Sequence, residues 1–342
     1  MQKVTIKDIA KYAGVSTGTV SKVINKQGNV KERLRLRVEA VIEKFHFSPS
    51  YFARGMKTQR TNTIGLIIPK ITNSFYVQVI ERIEMEATQK NYTILLGNSN
   101  EDIEREISCL KTFLDMRVDG LVLASTGINE GFRIKEELSF YKAVNIPVVL
   151  ISRRLPMLEN DIVEIENEEG AFKATCHLLE NGHKRIALIS SSSKTSASQE
   201  RVAGYMKALE KFRIPYEAAL VHIGGVTSNS GHEIVKQLVS LPKPPSAIFV
   251  GSNFQLLGTL GALKESKVRI PADISLVCFD DTEWGRFADP PLTVIEPDTG
   301  SFSKTAIKLL FDRIDNKNLG LQREIRIPTR LVVRESVKKL NK

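Results

Sequence analysis

The spacing of apolar residues along the chain changes its period once, near Thr63. Before that point it is helical. Thr5 and Asp8 stand in capping-box register, and Ile6, Ile9, Ala10 and Ala13 follow as one face of a helix. Gly14 and Val15 make a tight connection. Ser16 then caps a second short helix whose buried side is Val20, Val23 and Ile24. After the loop KQGN, a third helix is predicted from Asn29, with Glu32 in capping register and Leu34, Val38, Val41, Ile42 and Phe45 facing inward. Ser48 and Pro49 can open a further short helix over 50–57, too short to persist without a partner. Tyr51, Phe52 and Met56 in that stretch either pack back on the third helix or make a contact that forms only with a partner.

From Thr63 onward, strand-length apolar runs alternate with helical stretches. TIGLIIP, YTILLGN, GLVLAS and IPVVLIS are predicted strands, with helices over 75–90, 102–116 and 131–142 between them. The chain crosses over near 161–166 and repeats the theme. RIALISS, ALVHIG, AIFVGS and SLVCFDD are the strands of the second unit, with helices over 167–181, 199–213, 229–241 and 254–266. Strand LTVIE, helix 300–315 and strand REIRIPTRLVVR close the chain. Two consecutive parallel α/β units imply two lobes with a cleft between them. The late strand and helix imply that the chain returns to complete the first lobe. The expected domains are a helix-turn-helix unit over 1–46, a hinge helix and linker over 47–61, a first lobe over 62–161 plus 292–325, and a second lobe over 162–291 plus 326–342.

Charge separates the small N-terminal unit from the rest. Residues 1–63 hold thirteen Lys and Arg against four Asp and Glu, which is +9 of the formal +10 of the whole chain. The exposed side of the second helix carries Thr17, Gly18, Thr19, Ser21 and Lys22. Short residues at a helix N-terminus allow close approach to a major groove, and one long cation a turn later can reach a base edge or a phosphate. A polar helix face can also meet only water. The concentration of basic charge in the same segment favours double-stranded DNA as the partner.

Other features narrow the function. At 342 residues and 42% hydrophobic, the chain is long enough for two medium domains and a small one. No apolar run reaches membrane-span length, and no signal-like segment opens the chain, so a cytoplasmic, non-membrane location is expected. Cys109, Cys176 and Cys278 are scattered and read as reduced thiols, not as ligands to a metal. His46, His177, His183, His222 and His232 are scattered too. There is no P-loop, nucleophile elbow, paired metal ligands or dinucleotide fingerprint, so neither catalytic residues nor a cofactor nor a metal is expected.

The segments VTIKDIAKYAGVSTGTVSKVIN, PSYFARGMKTQRTNTIGLIIPKITNSFY, ERVAGYMKAL, IPADISLVCFDD and PPLTVIEPD closely resemble blocks of the LacI/GalR family of bacterial transcription regulators, nearly end to end. The resemblance implies an N-terminal helix-turn-helix headpiece on an α/β two-lobe core like that of periplasmic binding proteins. It implies a homodimer on a pseudo-palindromic operator, acting as a repressor under a sugar-type effector held between the lobes. By matching position, Thr17, Gly18 and Lys22 would face bases, and Thr5, Ser16, Thr19, Ser21 and Asn25 would hold phosphates. Ser50, Ala53 and Met56 match the hinge, the last two at positions that enter the minor groove. Met56 replaces the usual Leu and can still wedge between base pairs, and Ser50 replaces the usual Asn.

In the cleft, Asn73, Ser74, Phe75 and Tyr76 follow the first strand, and Arg153 follows the fourth. Arg201 and Asp280 match the typical effector-binding positions, with Asn253 a third. Two departures from the family pattern and one ambiguity stand out. Phe254 follows Asn253 where the family has Asp, Cys278 replaces Gly and would reshape its strand, and Asp281 competes with Asp280 for the binding role. Arg153 and Arg201 together would place two cations in one cleft, which leans toward a sugar acid or sugar phosphate. The competing readings are a corepressor-dependent repressor, an extracytoplasmic sugar receptor, a sugar-modifying enzyme, and a global regulator controlled by a phosphorylated carrier protein docked near helix 300–315.

Overall fold

The computed structural model describes residues 4–24, 28–45, 47, 60–126, 131–156, 158–191, 195–225, 227–315 and 320–340. The chain forms two compact units, 1–62 and 63–342.

The first unit is built from helices α1 (Ile6–Ala13), α2 (Thr17–Ile24) and α3 (Glu32–Lys44). The expected capping box is present: the Asp8 amide donates to the Thr5 hydroxyl, and Asp8 Oδ2 accepts from the Thr5 amide at 2.9 Å. Gly14 ends α1 at φ 60°, a left-handed conformation that only glycine adopts cheaply. Ile9, Ala10, Ala13, Val20, Val23 and Val38 form the core. The third helix starts at Glu32, later than the sequence predicts. Lys31 is its N-cap and supplies no side-chain bond. Asn29 stays outside because Gly28 is left-handed and the Val30 amide donates to its carbonyl, so these residues make a turn. Arg37 Nη2 donates to the carbonyl of Ala13, and to that of Gly14 at 3.4 Å, so it closes the C-terminus of α1.

The second unit contains two six-stranded sheets. The first has strand order β11-β5-β4-β3-β1-β2 and is parallel throughout. Its members are β1 (Thr63–Ile68), β2 (Thr93–Asn98), β3 (Gly120–Leu123), β4 (Val148–Ile151), β5 (Asp161–Ile165) and β11 (Glu324–Ile327). The second has order β12-β10-β9-β8-β6-β7, parallel except for β12 against β10. It comprises β6 (Ile186–Ser190), β7 (Val221–Ile223), β8 (Ala247–Val250), β9 (Ser275–Phe279), β10 (Thr293–Pro297) and β12 (Thr329–Val332). The central strands β3, β4, β5, β6, β8 and β9 are buried along their whole length because helices cover both faces.

Strand membership differs from the sequence reading in three places. Residues 161–165 stay in the first sheet, so the chain crosses after them and not before. The strand at 293–297 pairs with β9 and belongs to the second sheet, where the sequence reading had placed it in the first lobe. The run REIRIPTRLVVR is two strands, one in each sheet, divided at Pro328, which has no N–H for a ladder. The helix Thr299–Ile314 does return to the first lobe. Thr299 Oγ1 donates to Gln78 at 2.9 Å, and Phe302 packs edge-on to Phe75. Among the described residues the chain therefore passes between the lobes around 166, 298 and 328.

Buried charge ties the returning helix and β11 to β5 within the first lobe. Asp161, at the start of β5, accepts from Arg313 at 2.8 and 3.0 Å, and from Arg323 Nη2 at 2.6 Å. Helices Asn167–Glu180 and Ser196–Lys211 pack so tightly that a Cβ on Gly204 would lie 2.1 Å from the Glu168 carbonyl.

Candidate DNA-binding face and interlobe cleft

Within the headpiece, Thr17, Gly18 and Lys22 are exposed on α2, as the sequence predicts. Ser16 caps that helix: its Oγ accepts from the Thr19 amide at 3.1 Å, and the two hydroxyls lie 3.0 Å apart. The Thr5 hydroxyl donates to Asp8 at 2.6 Å. These three residues therefore have structural partners already, and any phosphate contact would share those groups. Ser21 is half-buried. Asn25, Ser50, Ala53 and Met56, with Tyr51 and Phe52, lie outside the described residues.

In the core, a cavity partly open to solvent lies between the lobes. Asn73, Phe75, Tyr76, Glu101 and Arg153 line it from the first lobe, and Asn167, Arg201, Phe254 and Asp280 from the second. The side chains reach it because each follows the C-terminal end of a parallel strand, where the helices that cover the sheet diverge.

Arg201 sits in the second turn of helix Ser196–Lys211. Its Nε donates to Asn167 Oδ1 at 2.9 Å, its Nη1 donates to the Gly251 carbonyl, and its guanidinium lies 3.6 Å from the centre of the Phe279 ring. Asn167 is itself oriented by donating to the Ile165 carbonyl. Asp280 directly follows β9 in a left-handed conformation, φ 70°, and is buried. Among the described residues no protein group donates to its carboxylate. Burial pushes its carboxyl above the ordinary value, and the Arg201 charge only partly opposes this. Burial likewise lowers the Arg201 guanidinium, with Asp280 opposing. The cleft thus presents an acceptor in Asp280 and the Nη2 edge of Arg201.

The neighbouring Asp281 has a different task. It accepts from Arg286 Nε at 2.7 Å and from Arg334 Nη1 and Nη2 at 3.0 and 2.8 Å. That separates the two adjacent aspartates: one faces the cavity, and the other ties the tail to β9. Cys278, expected to reshape this strand, does not. It is fully buried and keeps regular register with Val250 and Val294.

Arg153 also departs from expectation. It lines the cavity, but Nη1 and Nη2 hold Glu101 in a bidentate pair at 2.9 and 2.7 Å, and Nη1 also donates to the carbonyls of Ser125 and Thr126. The cleft therefore does not hold two free cations, and the lean toward an acidic ligand loses its footing. Asn253 reaches across the cleft and donates to Asn73 Oδ1 at 2.9 Å and Ser74 Oγ at 2.7 Å. Lys70 lies over the Phe254 ring at 5.5 Å, and the Arg154 amide donates to Ser196 Oγ. Phe75 packs on Tyr76 and Phe302, so it is both core and cavity wall. Burial raises the Tyr76 phenol, with Arg153 opposing.

Glu101 and Asn167 were not singled out from the sequence. Glu101 sits in an acidic run that reads as a helix start, and only its position at the end of β2 pointed to the cleft. Asn167 reads as the first residue of a helix.

Residues 5–50 match the family model of bacterial regulatory proteins of the lacI family, and residues 175–337 match a periplasmic binding protein-like domain. Over 334 residues the chain is 35% identical to the HTH-type transcriptional repressor PurR of Escherichia coli, covering 97% of this chain and 96% of that one. The chain belongs to the lacI family of bacterial regulatory proteins. Like other lacI-family members, it is a sequence-specific DNA-binding regulator under effector control and not an enzyme. Among solved lacI-family structures, it is similar to the lac repressor dimer bound to operator and the anti-inducer ONPF, with TM-score 0.84, 25% identity and coverage of 98% of this chain and 100% of that chain. It also resembles a complex of the regulator CelR with cellobiose, with TM-score 0.72, 28% identity and coverage of 97% and 99%. No helix among the described residues is long and apolar enough to cross a membrane.

Proposed function

We propose that this chain is a homodimeric repressor that binds a pseudo-palindromic operator through Thr17, Gly18 and Lys22, and that a small polar, sugar-type molecule between the lobes acts as its corepressor. The observation that carries the ligand half is the convergence of Arg201 and Asp280 on one cavity, where among the described residues one has a free Nη2 edge and the other lacks a protein donor. A ligand bridging them would also touch the first lobe, so it favours the closed form by its differential affinity for that form. CelR was solved with cellobiose, which supports a sugar. The lac repressor dimer was solved with operator and the anti-inducer ONPF together, which supports a bound small molecule compatible with DNA binding.

Exposed Leu257, Trp284 and Phe287 on the second lobe, the last 83% exposed, are apolar surface that a second copy would cover. The carrier-protein alternative has less behind it. Helix Thr299–Ile314 buries half of its residues and shows Ser301, Lys304 and Lys308 outward.

Calorimetry against neutral sugars, uronates and sugar phosphates identifies the ligand, and operator titration with and without it gives the direction. Tighter operator binding with ligand is expected, lost in Arg201→Ala while ligand-free binding stays unchanged. Weaker operator binding with ligand would make it an inducer. A response only to a phosphorylated carrier protein would move control to the surface.

A further inference from the structure

We infer that Glu101 sets the charge of the ligand: by neutralising Arg153 it makes the cleft selective for an uncharged polar molecule. This inference rests on the cleft being the effector site. Arg153 and Glu101 are both largely buried, with side chains 13% and 16% exposed, and they meet in a two-point pair whose geometry uses both carboxylate oxygens. The carbonyls of Ser125 and Thr126 take the remaining bonds of Nη1. Behind them lies a second carboxylate, the fully buried Glu106, which accepts from the Thr126 amide at 2.7 Å. Burial pushes the Glu106 carboxyl upward, toward its neutral form.

Across the cleft, Arg201 faces Asp280. Among the described residues, the charged groups that line the cavity are two guanidiniums and two carboxylates, so these four formal charges cancel. An anionic ligand would lose its hydration against a surface whose cations already have carboxylate neighbours. A hydroxyl or amide group meets no such obstacle. It can donate to Asp280 and accept from Arg201 Nη2, while its apolar faces rest on Phe75, Tyr76 or Phe254.

Glu101 is held for this role by its backbone. It lies at φ 59°, directly after Asn100 at φ 53°, and two consecutive left-handed non-glycine residues are costly. The Glu101 amide donates to the Pro69 carbonyl at 2.8 Å, which fixes the turn and aims the carboxylate at Arg153.

The test uses full-length protein and calorimetry with glucose, glucuronate, glucosamine and inorganic phosphate. Wild type is expected to take glucose over glucuronate. Glu101→Gln keeps the shape but leaves the Arg153 charge unpaired, so phosphate and glucuronate should gain about tenfold or more relative to glucose. Arg153→Gln leaves Glu101 unpaired and should shift preference the other way, toward glucosamine. This second variant reads the charge independently if the first fails to fold. Glu101→Gln combined with Arg153→Gln should return to the wild-type order. Glu101→Gln that gains nothing for phosphate, or wild type that binds glucuronate as tightly as glucose, overturns the inference. Failure of the cleft assignment would look different: a neutral sugar would bind wild type and Arg201→Ala equally.

Discussion

Asp280 and Asp281 are adjacent and chemically identical, yet their asparagine variants should behave in opposite ways. Asp281 accepts three hydrogen bonds from two arginines. The Arg334 side chain is 18% exposed and that of Arg286 is 52% exposed. The Arg286 arm is half in water and contributes at most about 1 kcal/mol. The Arg334 arm is buried, and weakening it leaves a guanidinium partly unpaired, which costs about 2–3 kcal/mol. On a core of this size that lowers the melting temperature by roughly 4–12 °C. Among the described residues Asp280 has no protein donor, and its carboxyl is raised by burial with Arg201 only partly opposing. A raised carboxyl binds its proton more tightly in the folded state, so this group adds stability as pH falls and opposes folding when charged near neutral pH. Asp280→Asn should therefore leave the melting temperature at pH 7 unchanged or higher, and should abolish the ligand response. Paired thermal melts with and without ligand, and calorimetry, read both quantities. The reasoning fails if Asp280→Asn melts as low as Asp281→Asn, or if it keeps the ligand-induced shift.

Lys22→Ala should weaken binding to the cognate operator by about 1–3 kcal/mol and weaken random DNA less, and equal losses in a titration would demote Lys22 to a phosphate contact. Gly14→Ala must place a Cβ at φ 60°, 2.6 Å from Arg37 Nη2, so the headpiece should lose about 1–2 kcal/mol and operator affinity should fall with cleft binding intact; an unchanged operator titration would refute this. Asp161→Asn should destabilise the core by about 3 kcal/mol in urea unfolding at neutral pH, and a loss under 1 kcal/mol would show that Arg313 and Arg323 find other partners. Burial pushes the Asp161 carboxyl up, but Arg313 and Arg323 outweigh it and hold it below the ordinary value. Its contribution is therefore present above about pH 4 and lost as pH falls further, and acid titration of Asp161→Asn should lack that component.

Much of this protein is local, and that part was legible in the residues themselves. The Thr5–Asp8 box, Gly14, Ser16 and the apolar faces of α1 and α2 act between residues three or four apart, so spacing alone reveals them. The alternation of strands and helices after Thr63 and the crowding of basic charge before it are equally visible along the chain. Family motifs then carried Arg201 and Asp280 to the cleft. The tertiary structure decided what depends on partners far apart in the chain. Glu101 and Arg153 are 52 residues apart, and no pattern in either segment says that one cancels the other. Asp281 is removed from the cleft by Arg334, 53 residues on, and Arg37 closes α1 from 24 residues away. Residues 293–297 look like any other strand, and only pairing with β9 assigns them to the second sheet. A side chain's type sets which bonds it can make, but whether it faces a ligand depends on which partner the fold brings to it first.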